Sequence, residues 1–347
     1  MPRPTVLRAA RRRAAPFLVA FLALAPAALD AQGPFSSVTF FGDSYVDTGN
    51  AFLLSGGTQP PSPPYFQGRF SNGRVWSEYL AQSLGRPGDA APVFLTRAAS
   101  GVYAVAGART GPGGQTSTAT QIGSYLTRPG GTPGQVSDPT GLYALFAGGN
   151  DLRDAGALGT AAARQAEAAA AAQRIITQAG ALAQGGARNV LLFSLPSLGA
   201  TPEARAIPGR PMIQDELAAT FNATLAAGLA GLSGSFGGTT FFNLRVDNLL
   251  TNILLDAQSG GGLYGVTDTT RPCFGPPFGP PNPAPCDVSL WADDLHPTTR
   301  VHGLIGEAAF RYVTTGQNVA VIPEPATVLL VGAGVFVVGA LARRRAA

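Results

Sequence analysis

The chain's 347 residues, 45% hydrophobic and 13% charged, suit a compact fold with a sizeable core, as one large domain or two small ones. The formal net charge of +4 belongs to the ends: without residues 1–31 and 343–347, which carry eight arginines and Asp30, the body is about −3, which argues against a nucleic-acid-binding face. Two cysteines are too few for a closed zinc site.

The first 31 residues read as a secretory signal: an Arg-rich start, an apolar run over 14–28, and small residues at Ala25, Ala27 and Ala31 that suit cleavage. An uncleaved anchor is the alternative. Val38, Thr39, Phe40 and Phe41 then form a short apolar run that meets Gly42, Asp43 and Ser44. This pattern predicts a buried strand ending in a sharp turn, which can lift a small polar side chain into a cleft. Ser44 is that side chain. On this segment alone, helix capping by Asp43, Ser44 or Asp47 competes with nucleophilic chemistry.

Residues 51–75 are loop-like, rich in Gly and Pro. A helix begins near Val75 and places Trp76, Tyr79, Leu80 and Leu84 on one apolar face. Within residues 98–110 a short strand feeding a small-residue turn is expected, and Gly107 would let backbone approach a ligand closely. A helix is predicted over 121–126. A buried strand over 142–147 runs into Gly148, Gly149, Asn150 and Asp151, a second strand end with a side-chain amide at its tip. An Ala-rich helix covers 161–183, a third strand 190–195, a helix 214–232, a fourth strand 239–244 and a further helix 245–256. Strands alternating with helices argue for a parallel sheet covered on both faces.

Cys273 and Cys286 flank a Pro- and Gly-rich stretch, and in an exported chain an even count favours a disulfide. Asp293, Asp294 and His296 lead into a helix over 299–313 that carries His302. These are the chain's two histidines. A serine needs a base to become a nucleophile. His302, inside an amphipathic helix, reads as structural, so His296 is the expected base. Asp293, three residues earlier, is placed to hold the other imidazole nitrogen; Asp294 is the rival. Backbone N–H groups of Ser44 and Gly107 and the Asn150 amide are the candidate oxyanion donors. No G-x-S-x-G elbow occurs, which disfavours the ordinary α/β-hydrolase arrangement.

Four blocks in order carry a resemblance. They are Phe41 to Ser44 with Asp47 to Asn50, the Gly107 turn, Gly148 to Asp151, and Asp293 with His296, Pro297 and Thr298. Tyr65 to Gly73 and Leu195 to Gly199 add to it. Over residues 36–315 the chain resembles a GDSL-type lipase/esterase of the SGNH hydrolase superfamily. The departures are Tyr45 where Leu is usual, Val102 where Asn is common and Ala106 where Gly is common. The resemblance implies a flavodoxin-like three-layer α/β/α sandwich with a mainly parallel sheet. It also implies ester hydrolysis without metal or cofactor, with Ser44, Gly107, Asn150 and His296 as key residues and Asp293 completing the triad.

At the other end, Pro323, Glu324 and Pro325 precede an apolar run over 326–342 and Arg343, Arg344 and Arg345. This resembles a PEP-CTERM sorting signal. It implies export to a Gram-negative envelope, a transient inner-membrane anchor and cleavage by an exosortase-type enzyme. The expected organisation is signal peptide 1–31, hydrolase domain 32–315 and sorting signal 316–347. The expected activity is a secreted serine esterase or lipase. The alternatives are an exopolysaccharide deacetylase on the same fold and a non-catalytic envelope-associated binding protein.

Overall fold

The computed structural model describes residues 33–112 and 116–321. The expected signal peptide and the apolar span 326–342 lie outside the described residues.

Five parallel strands form one sheet in the order β2-β1-β3-β4-β5: β1 Val38–Gly42, β2 Gly101–Val102, β3 Leu142–Phe146, β4 Asn189–Phe193 and β5 Thr240–Leu244. Every residue of β1 and β3 is buried, as expected of strands covered on both faces. Successive strand side chains point to opposite faces. Phe40 meets Trp76 of one helical layer edge-on at 5.6 Å, and Phe41 meets Tyr125 of the other at 5.5 Å.

The helices, in chain order, are α1 Asn50–Leu54, α2 Trp76–Ser83, α3 Val93–Thr96, α4 Thr118–Leu126, α5 Gly149–Ala155, α6 Ala161–Gln184, α7 Pro202–Arg205, α8 Arg210–Ser235, α9 Val246–Gln258 and α10 Thr299–Thr315. The long α6 packs along α8, and α2 packs along α10. The result is the three-layer α/β/α sandwich. By length and composition α8 could cross a membrane, yet its Leu217, Phe221, Leu225 and Leu229 are buried in the core.

Differences from the expected elements lie at their ends and in four short helices that were not expected, α1, which opens the stretch read as loop-like, α3, α5 and α7. Helix α8 starts at Arg210, not 214, because Pro211 fits a first helical turn and Gly209 turns the chain at φ 76°. Helix α4 starts at Thr118, where the Ser117 hydroxyl accepts the Thr120 N–H. The third strand stops at Phe193; the Leu195 N–H instead donates to the Asn222 side chain. The predicted turn at Asn150 is the first turn of a short helix, α5.

Candidate active site

The C-terminal ends of β1 and β3 lie side by side, with Gly42 opposite Phe146. A side chain at Gly42 would place its Cβ 2.3 Å from the Phe146 carbonyl oxygen, so this close approach requires glycine. Two residues later Ser44 is buried, and its Oγ lies 2.9 Å from His296 Nε2. His296 Nδ1 lies 2.7 Å from Asp293 Oδ2. Asp293 also takes the Leu295 and His296 N–H groups on Oδ1, at 2.8 and 2.6 Å. Burial alone would raise its pKa. The facing imidazole and the bonds from His296 and Tyr65 outweigh burial and hold it at about 2. With Asp293 ionised, His296 Nδ1 is the donor and Nε2 is left to accept from Ser44. The imidazole pairs with Asp293 and not with Asp294, whose carbonyl accepts the Glu203 N–H.

Asn150 is tied to the Gly107 turn through the residue that follows the glycine. Asn150 Nδ2 donates to the Ala108 carbonyl at 3.0 Å. Its neighbour Asp151 takes the Thr110 N–H and hydroxyl, and Arg174 closes that network at 3.1 Å. The Gly107 turn is thereby clasped from one side. From the other side, Asp47 Oδ2 accepts the Ala106 N–H at 2.9 Å while Oδ1 accepts the Gly49 and Asn50 N–H groups. Asn50 donates to the carbonyls of Val102 and Ala104. Gly107 itself adopts φ 80°, and a Cβ there would meet open space. Neither the Ser44 nor the Gly107 N–H donates to any described residue.

Ser44 and Asn150 line a cavity of about 30 Å³ whose walls are chiefly Tyr45, Phe146, Leu195, Pro196, Leu198 and Leu295. Gly107 faces a broader polar hollow of about 710 Å³, walled by the Arg109–Asp154 pair and by Asp151 and Arg174. Among the described residues no group of His, Cys, Asp or Glu is arranged to hold a metal ion.

Two features were not anticipated. The first is Tyr65, whose hydroxyl donates to Asp293 Oδ2 at 2.5 Å from 228 positions away. The second is what holds Tyr65. Cys273 and Cys286 form a disulfide, and the loop it closes carries Phe274 and Phe278, which pack edge-on against the Tyr65 ring at 5.0 and 5.3 Å. Phe70 completes this satellite cluster and lies 5.1 Å from the His296 ring. A Tyr and two Phe in Pro-rich loops were the signal available, since such rings seek burial. In the same stretch, Arg69 pairs with Glu78, and Asn72 accepts the Thr299 N–H.

Residues 38–309 match the family model described as GDSL-like Lipase/Acylhydrolase, and residues 321–345 match the PEP-CTERM protein-sorting motif. The chain is 26% identical to a phosphatidylcholine-sterol acyltransferase of Aeromonas hydrophila, with 85% of this chain and 95% of the relative covered. It is 28% identical to Esterase EstA of Pseudomonas aeruginosa, covering 89% of this chain but only 51% of that protein, about half its length. Among solved structures it is similar to Est24, a carbohydrate acetylesterase from Sinorhizobium meliloti. That match has 16% identity and a TM-score of 0.40, covering 81% of this chain and 99% of the other.

Proposed function

The chain belongs to the GDSL-like lipase/acylhydrolase family, and on that premise we propose that it is an exported serine esterase that hydrolyses carboxylic esters through an acyl-enzyme on Ser44. The observation that carries this reading is the unbroken buried chain from Ser44 Oγ through His296 to Asp293.

Ser44 Oγ attacks the ester carbonyl carbon as His296 Nε2 takes its proton. Asp293 fixes the tautomer and stabilises the imidazolium that forms. The developing oxyanion receives the Ser44 and Gly107 N–H groups and the Asn150 amide; such pre-aimed donors are worth about 2.7–4 kcal/mol each. His296 returns the proton to the leaving alcohol. Water, deprotonated by the same imidazole, then releases the acid and restores Ser44. We place the acyl group in the apolar cavity and the alcohol portion toward the polar hollow. The names of the acyltransferase and esterase relatives support acyl-ester chemistry as the class.

Export has three supports: the signal-like N-terminus, the PEP-CTERM motif and a disulfide suited to an oxidising compartment. In this reading the tail anchors the protein transiently until an exosortase-type enzyme cleaves it. Ser44→Ala is expected to abolish p-nitrophenyl butyrate hydrolysis, and a fluorophosphonate probe is expected to add its mass to the Ser44 peptide of the wild type alone. Equal turnover by the variant would end the assignment.

A further inference from the structure

A second apolar cavity, also about 30 Å³, lies on the far side of Tyr45. Val246, Leu249, Leu250 and Ile253 form one stripe of α9 along it, and Val301 and Ile305 of α10 face them. All six side chains are buried. Tyr45 and Pro196 line both this cavity and the one at Ser44. The two spaces therefore adjoin across a phenol ring and a proline.

Tyr45 is held where it stands. Its hydroxyl donates to the Leu295 carbonyl at 2.9 Å, and its ring lies edge-on to Phe146 and His302, each 5.9 Å away between centroids. The Leu295 bond is the single polar tether among these contacts. Each cavity has roughly two water-sized volumes, so the one at Ser44 accepts a short acyl group and then ends at the ring.

We infer that Tyr45 is the ruler for the ester's acyl chain, and that the cavity between α9 and α10 is a latent subsite for the distal methylenes of a longer acyl chain. This rests on the reading of Ser44 as the nucleophile. The occupant is an acyl tail because the cavity adjoins the acyl cavity and its walls present hydrocarbon, with no charged group. The wild type therefore prefers acetyl to butyryl esters and falls off at longer chains.

The test is kcat/KM across p-nitrophenyl acetate, butyrate, hexanoate and octanoate. Tyr45→Leu is expected to raise the octanoate-to-butyrate ratio about tenfold, since each methylene gains an apolar surface to bury against. Adding Leu250→Phe, which fills the second cavity, is expected to return that ratio to the wild-type value. Tyr45→Phe keeps the ring and its packing but loses the tether, and about threefold gain on hexanoate is expected. The ratio is insensitive to a uniform loss of activity. An unchanged ratio in Tyr45→Phe and in Tyr45→Leu, or a ratio that Leu250→Phe leaves high, overturns the ruler. Ser44→Ala separates the two readings. If it retains turnover, the nucleophile assignment fails; if it is inactive while the ratios stay fixed, the ruler alone fails.

Discussion

The chain's two histidines sit six positions apart, and their rings flank the same tyrosine at 6.0 and 5.9 Å. They are otherwise opposites. His296, in the loop ahead of α10, has a partner on each nitrogen: an ionised carboxylate on one and a serine hydroxyl on the other. His302, one turn into α10, accepts the Trp76 N–H on Nδ1 at 3.3 Å, and its Nε2 has no partner among the described residues. Burial, then the charge of His296, pushes its pKa down to about 3, so it is neutral at any ordinary pH. An imidazole works as a base when one nitrogen is anchored by negative charge and the other is open to a proton. Burial without that anchor makes it a packing group. The sharpest way to break this contrast is to exchange the losses. His296→Ala is expected to lower kcat/KM by about 10⁴-fold with the fold intact. His302→Leu is expected to keep kcat within about threefold while losing about 1–3 kcal/mol of stability, because the Trp76 N–H is left without an acceptor. Esterase kinetics and urea unfolding on both variants check it. Comparable kinetic losses would erase the distinction.

What anchors His296 reaches well beyond Asp293. Tyr65 donates to the carboxylate, and the disulfide loop presses Phe274 and Phe278 onto the Tyr65 ring. Among the described residues His302 has no carboxylate partner, and its ring's hydrogen bond is the one from the Trp76 N–H. Tyr65→Phe should therefore sharpen the contrast by weakening only the anchored histidine. A hydrogen bond to a charged group contributes about 1.5–3 kcal/mol, so a loss near tenfold in kcat/KM is expected. Because Asp293 then holds its charge less firmly, the acid limb of the kcat/KM profile should move to higher pH. A merely structural Tyr65 would lower activity without moving that limb. Cys273→Ser with Cys286→Ser should act in the same direction and more weakly, since the loop loses its closure while Tyr65 keeps its hydroxyl.

The difference in how legible these features were in the sequence follows from the range of each interaction. The four longer strands and α6 announce themselves through apolar runs and Ala content, which are local. Ser44 and Asn150 were visible because small polar side chains directly follow such runs, and Asp293 because it lies within one turn of His296. His302 was assigned to packing by its place in an amphipathic helix. The contact of Tyr65 with Asp293 was not visible: Tyr65 sits among prolines, and its partner is 228 positions away. Helices α1, α3, α5 and α7 have four to seven residues each, too few for a 3.6-residue period to register. The role of Asp47 was half legible. Its cap on α1 follows from spacing, while its bond to the Ala106 N–H depends on β1 and β2 being neighbours in the sheet.

The smallest expected effect concerns pH and pairs His302 with Asp43. Burial raises the Asp43 carboxyl to about 7, against the opposing bond from the Tyr45 N–H and the charge of His296. A carboxyl whose native pKa is raised contributes stability that is full below its ordinary 3.8 and is lost as pH rises through 7. His302 has the opposite sign. Its native pKa is lowered, so the folded state resists a proton that the unfolded chain accepts. Its contribution is full above the ordinary 6.5 and is lost as pH falls toward 3. Between pH 3.8 and 6.5 the two slopes oppose each other. The two single variants should therefore move the slope of Tm against pH in that window in opposite directions. Asp43→Asn should make the slope more positive than in the wild type, and His302→Leu should make it more negative. Calorimetric melts in matched buffers across the window read both signs in one series. If both variants keep the wild-type slope, neither group carries its charge penalty in the folded state, and His302 is distinguished from His296 by its partners alone.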